Sequence, residues 1–223
     1  MALASLAVSS AFAVDYYNDL GDTNPQVGYG DWDGGVNQLG GNYGLQTGQV
    51  FTAGGNNVSA VEGYFIGFTN TPNFTGALVQ IFNFSGGVVG SMVGQQQVSG
   101  SAVSLGGDPV FTGYYRIDVT ANVNITGLSS GQQYLAVLQG QGADWHYLLA
   151  NLDGNADSYG RDYSSFGYQG GYGTTTWTDQ NTLNGYGEGD TLMRISGAVP
   201  EPASIAALGI GALGLFIRRR RRA

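Results

Sequence analysis

The chain has no cysteine, and lysine is absent from all of its 223 residues. It has one histidine, His146. Without cysteine there are no disulfides, no thiol nucleophile and no thiolate metal site. One histidine and no cysteine are too few ligands for zinc. A Ser-His-Asp relay would have to run through His146, the one histidine of the chain. His146 sits between Trp145 and Tyr147 and reads as a partly buried strand residue. Glutamate is also scarce: Glu62 and Glu188 are the two that precede the C-terminal tail. Glycoside hydrolysis needs a pair of carboxyls across one cleft. Asp31 and Asp33 flank Trp32, but adjacency in sequence does not make a cleft. A polysaccharide hydrolase is therefore only the second alternative, and the chain is expected not to be an enzyme.

Positive charge is missing from most of the chain. Five of the eight arginines are Arg218, Arg219, Arg220, Arg221 and Arg222, leaving Arg116, Arg161 and Arg194 for the rest. Residues 14–197 hold fifteen acidic residues against three arginines, a net charge of −12 that the overall −8 conceals. Such a region cannot neutralise phosphates, which excludes nucleic acid as a partner. It suits solubility and divalent-cation binding.

The most informative segment is 198–223. It reads Val199-Pro200-Glu201-Pro202, then an uncharged apolar run from Ala203 to Ile217, then the five arginines. As a helix that run would span about 22 Å, against a hydrocarbon core about 30 Å thick. It is marginal as a permanent span. The arginines fix its orientation, with the preceding domain outside. Pro-Glu-Pro, a short apolar helix and a basic cluster, in that order, resemble the PEP-CTERM protein-sorting signal of exported bacterial proteins. The resemblance implies an exosortase, a membrane cysteine transpeptidase, as partner. It implies processing near Pro200, Glu201 and Pro202, and a route through the inner membrane to the cell surface or extracellular matrix. A plain tail anchor is the alternative.

The other end agrees. Residues 1–13 read MALASLAVSSAFA and end in Ala11-Phe12-Ala13, an A-x-A cleavage pattern of a secretory signal, though no basic n-region precedes it. Cleavage after Ala13 would start the mature chain at Val14. The other reading of this segment is a first buried strand. The expected division is a signal peptide over 1–13, an extracytoplasmic domain over 14–197 and the sorting signal over 198–223.

Between the ends, helical periodicity is hard to find. Short β-branched and aromatic runs separated by Gly/Asn/Ser clusters recur instead. Residues 14–48 read as an irregular lead-in with at most one strand. Strands are expected over 49–52, 58–68, 77–84, 88–98, 114–120, 133–139, 145–150, 174–178 and 191–196. Residues 77–84 are apolar on nearly both faces, which suits an interior strand. In 114–120, Tyr115, Ile117 and Val119 point one way, and Arg116, Asp118 and Thr120 the other. About nine such strands predict an all-β, antiparallel, jelly-roll-like sandwich with a short C-terminal hydrophobic helix; a barrel is the alternative. The order of features, from Gln49-Val50-Phe51-Thr52 through 128–138 to Trp145 and Trp177, resembles the exported β-sandwich domains called choice-of-anchor domains. That resemblance implies no enzymatic activity.

Two candidate ligand sites follow from composition. Asp153, Asn155 and Asp157 place oxygen ligands at alternate positions, as in the first half of an EF-hand loop, but Ser158 stands where glycine is needed and Ser164 where glutamate is. They are a candidate structural calcium site or a polar turn; no other cofactor is expected. The aromatic residues Trp32, Tyr163, Tyr168 and Tyr172 are candidates to stack on sugar faces, the last three in a glycine-spaced loop. Against that, tryptophans fill cores, and Trp145 and Trp177 are read as core. The expectation is a structural or adhesive protein of an exopolysaccharide or biofilm matrix, held to polysaccharide or to other surface proteins. A carbohydrate-binding module is the first alternative.

Overall fold

The computed structural model describes residues 11–21, 26–32, 45–71, 74–109, 112–142, 146–151, 158–162, 176–179 and 190–200. Among these the chain forms thirteen strands and no helix. They are β1 (Ala11–Asn18), β2 (Gln26–Trp32), β3 (Leu45–Thr52), β4 (Asn57–Gly67), β5 (Phe74–Ser85), β6 (Val88–Val98) and β7 (Ser101–Gly107). Then come β8 (Tyr115–Thr126), β9 (Gln133–Gly142), β10 (His146–Asn151), β11 (Ser158–Asp162), β12 (Thr178–Asp179) and β13 (Met193–Pro200).

The expected all-β class holds: the strands make two antiparallel sheets. The larger is built on β4, which has β8, with β7 beyond it, along one side. The other side of β4 is shared by β13, itself flanked by β1, and β10, flanked by β2. The smaller sheet runs β12-β11-β3-β9-β5-β6.

Side-chain alternation explains why the sheets face each other. In β8, Ile117, Val119, Ala121, Val123 and Ile125 are buried, while Arg116, Asp118 and Thr120 point away from them. Ala77, Val79 and Ile81 of β5 meet them from the smaller sheet, with Tyr134, Ala136 and Leu138 of β9. Fully burying each larger side chain is worth about 1.5–3 kcal/mol. As expected for an interior strand, β5 is buried on both faces along much of its length and lies between β9 and β6. Its hairpin to β6 turns on Gly86 and Gly87, both in the left-handed region (φ 57° and 77°), the pairing a tight two-residue turn requires.

Several boundaries differ from expectation. β8 continues six residues past Thr120, and β13 runs through Pro200 instead of stopping at Ser196. Strand β12 covers Thr178–Asp179, with Thr176 and Trp177 outside it; residues 174–175 of the expected strand lie outside the described residues. Strands β2 and β11 and most of β1 fall where irregular chain was expected, and β7 where no strand was expected. In β7, ladder bonds to β8 from Ser101 to Gly107 override a sequence rich in glycine and serine. Ala11–Ala13 are strand too, but Ala13 and Val14 are exposed rather than buried.

Candidate functional site

Strands β1 and β13 bring the two ends of the described chain together. They pair antiparallel from Ala11 opposite Pro200, through Phe12–Val199 and Ala13–Ala198, to Asn18 opposite Arg194, with a bulge at Tyr16. The expected divisions after Ala13 and before Ala198 both fall within this ladder.

The bulge turns Tyr16 into the domain. Its ring stacks on Phe51, centroids 6.2 Å apart, and burial pushes its phenol pKa up. The Tyr16 hydroxyl donates to the Ala198 carbonyl at 3.3 Å. On the other side, the Ala198 N–H donates to Asn57 Oδ1 at 2.9 Å. The Ser59 hydroxyl donates to the Ser196 carbonyl at 3.3 Å, and Ser196 Oγ to Asp15 Oδ1 at 2.6 Å. There is no room for a side chain beneath: a Cβ on Gly197 would overlap the Asn57 carbonyl and the Tyr16 ring. The last strand is thus clamped through Ala198, two residues before Pro200. Sequence reasoning missed this clamp because its parts lie about 140–180 positions apart.

The outer face of the larger sheet gathers charge. Glu62 of β4 is ion-paired with Arg194 of β13, and Arg116 Nε donates to Asp108 Oδ2 at 3.0 Å while its guanidinium lies 5.6 Å from the Tyr64 ring centre. Asp118 lies opposite Tyr64, two register positions from Glu62. Burial, and then the Glu62 charge, raise the Asp118 pKa; Arg194 and a Thr120 hydrogen bond oppose the rise. Its Oδ1 is buried without a hydrogen-bond partner. Glu62 is thus ion-paired, and Asp118 holds its proton more tightly than a free carboxyl does.

The outer face of the smaller sheet carries amides. Gln80 Nε2 donates to Gln95 Oε1 at 2.9 Å, and Gln97 Nε2 to Gln141 Oε1 at 2.6 Å. Gln139 is buried, with no partner for its Nε2. This row runs along β5 into Phe82, against which Trp177 packs edge-on at 5.3 Å, and Phe84, against which Tyr159 packs at 5.0 Å. Trp177 was expected in the core. It is instead partly buried on this outer face, in a cluster with Val50, Leu135 and Val137.

Of the remaining expected residues, two fall in the larger sheet. Trp32 lies in β2 opposite Tyr147, and His146 opens β10 opposite Gly67. Trp145, Tyr163, Tyr168, Tyr172, Asp153, Asn155, Asp157, Glu201, Pro202, the apolar run Ala203–Ile217 and the five terminal arginines lie outside the described residues. No helix among the described residues is long and apolar enough to cross a membrane.

Neither a curated relative nor a solved structure matches the chain. Residues 198–222 do match a family, described as the PEP-CTERM protein-sorting motif. The match begins at Ala198, the residue held by Tyr16 and Asn57. The chain carries a PEP-CTERM protein-sorting motif, which supports export and sorting to the cell surface with an exosortase as processing partner, and the motif starts inside the last strand of the β domain.

Proposed function

We propose that this is a non-enzymatic surface or matrix protein, an acidic β domain delivered outward to act structurally or adhesively in exopolysaccharide. The observation that carries this reading is the seamless join of domain and signal. Strand β13 runs to Pro200 and the matched signal begins at Ala198, so signal and domain overlap with no linker between them. A domain fused in this way is the cargo of the sorting route. Its described charged groups support a structural role: Glu62 and Asp108 are each held by an arginine. The test is mass spectrometry of the mature C-terminus in membrane, surface and medium fractions, with matrix retention compared between wild type and a deletion strain. A chain ending near Pro200–Pro202, recovered outside the inner membrane, supports the reading. A chain that keeps Arg218–Arg222 in the inner membrane would sink it and leave a plain anchor.

The amide row favours a carbohydrate-binding module as the second reading. Neutral amides beside aromatic rings match sugar hydroxyls and C–H faces, and a body of charge −12 disfavours acidic polymers. Gln95 and Gln97 are exposed on β6. In affinity electrophoresis through neutral glycans, the double variant Gln95→Ala/Gln97→Ala is expected to lose any retardation shown by the wild type. Equal mobility of the two proteins in every glycan removes this reading.

A further inference from the structure

We propose that the strand edge vacated when the leader is cut after Ala13 is the docking edge on which the processing transpeptidase reads the sorting motif. The proposal rests on the sorting reading above. Strand β4 pairs with β13 only from Met193 to Ser196. Beyond that point the strand partner of Ala198, Val199 and Pro200 is Ala13, Phe12 and Ala11 of β1. Cleavage after Ala13 removes those three residues and leaves Val14 opposite Gly197 as the last rung. The main-chain groups of Ala198–Pro200 on that side then lose their ladder.

The segment does not collapse onto the domain. Asn57 and Tyr16 still hold Ala198 by its N–H and its carbonyl, and Gly197 is wedged against the Asn57 carbonyl. The result is a short extended segment with one open side, fixed in direction, running into Glu201 and Pro202. An enzyme strand added to such an edge gains main-chain hydrogen bonds without ordering the substrate first. Proline at position 200 suits the end of such a ladder, since it offers no N–H. The apolar run starts at Ala203, three positions after Pro200, so at most roughly 10 Å of chain separates the open edge from the start of that run. A membrane enzyme is the partner that can reach it.

The test compares two secreted forms in a host that has the exosortase, each behind the cleavable leader of another exported protein. One matures at Val14 and the other at Ala11, so they differ only in whether Ala11–Ala13 stays paired. Pulse labelling with mass spectrometry of the C-terminus gives the processing rate. The Val14 form is expected to be processed about tenfold faster, the factor that one or two net hydrogen bonds supply. Phe12→Pro in the Ala11 form, which removes a ladder donor, is expected to restore the fast rate. Thermal melts of both forms establish that each is folded. Equal rates for the two folded forms overturn the proposal, as does a slow Ala11 form that Phe12→Pro fails to rescue. If neither form is cut and both keep Arg218–Arg222, the sorting reading itself has failed and takes this proposal with it.

Discussion

The side-chain oxygen of Gln49 accepts two hydrogen bonds from Thr191, one from its backbone N–H at 2.7 Å and one from its hydroxyl at 3.0 Å. Both residues are fully buried. Gln49 Nε2 donates in turn to Asp190 Oδ1 at 2.8 Å. Gln49 lies in β3 of the smaller sheet, whereas Thr191 leads into β13 of the larger one. The amide is a polar strut between the sheets at the root of the strand that enters the sorting signal. Replacing it with leucine leaves two buried Thr191 donors unpaired, at about 1–3 kcal/mol each. Gln49→Leu is expected to lower the melting temperature by roughly 10 °C, taking about 2–4 °C per kcal/mol for a domain of this size. Circular dichroism melts check it; an unchanged midpoint would show that the strut contributes nothing.

Gly197 gives a second prediction. A methyl group there would overlap the Asn57 carbonyl and the Tyr16 ring together, and neither is the free end of a flexible side chain. Gly197→Ala should cost about 1–3 kcal/mol, the usual range for overpacking. It should also loosen β1, because Tyr16 is the residue displaced. Hydrogen exchange would report this as lost protection at Val14–Asn18, while β8 and β9 keep theirs. A loss spread evenly over both sheets would count against the clamp.

What the sequence disclosed and what it hid follow from the range of the interactions involved. The alternation in 115–120 and the doubly apolar 77–84 are local, so their strands and faces were legible. Gly86-Gly87 was legible as a turn because two successive glycines permit the left-handed backbone that a tight hairpin uses. The tail was legible because its three parts act in sequence order. Strand β1 was hidden for a physical reason: the small apolar residues that suit a leader also suit a strand, and the deciding partner, β13, lies about 180 residues away. The outer face of the smaller sheet was hidden as well. Trp177 looked like core because tryptophan is bulky, but its cover is Phe82 on the far side of a sheet whose inner face is already filled.

Asp118 shows the same limit for electrostatics and makes a pH prediction. In sequence, Arg116, Asp118 and Thr120 are legible only as the face opposite Tyr115, Ile117 and Val119. In the fold, burial takes Asp118 out of water and Glu62 of β4 adds a second charge nearby, so the Asp118 pKa is raised. The folded state then binds a proton more tightly than the unfolded chain. Stability from this group is present at low pH and is lost as pH rises from the ordinary carboxylate range through the raised value. Asp118→Asn, which mimics the neutral form, should be more stable than wild type at neutral pH. The gap should close as pH falls toward about 4, the ordinary aspartate range. Paired melts at the two ends of that range test the sign; a variant less stable at neutral pH than at acid pH, relative to wild type, would reverse it.

Arg194 holds this cluster together, and its removal should expose the coupling. The Glu62 side chain is 11% exposed and that of Arg194 42%. Arg194→Met therefore leaves a mostly buried carboxylate without its partner, at about 1–3 kcal/mol for a lost charged hydrogen bond. Arg194 also lowers the Asp118 pKa, so its loss lets that pKa climb further. The variant should be weakest at neutral pH, where the Asp118 charge goes unopposed by Arg194, and should recover as Asp118 takes a proton. Asp118→Asn placed in the Arg194→Met background removes one of the two charges and should return part of the lost stability. The double variant should thus be more stable than the sum of its single effects predicts. Strict additivity across the cycle would mean that Glu62, Asp118 and Arg194 share a sheet face without acting as one electrostatic unit.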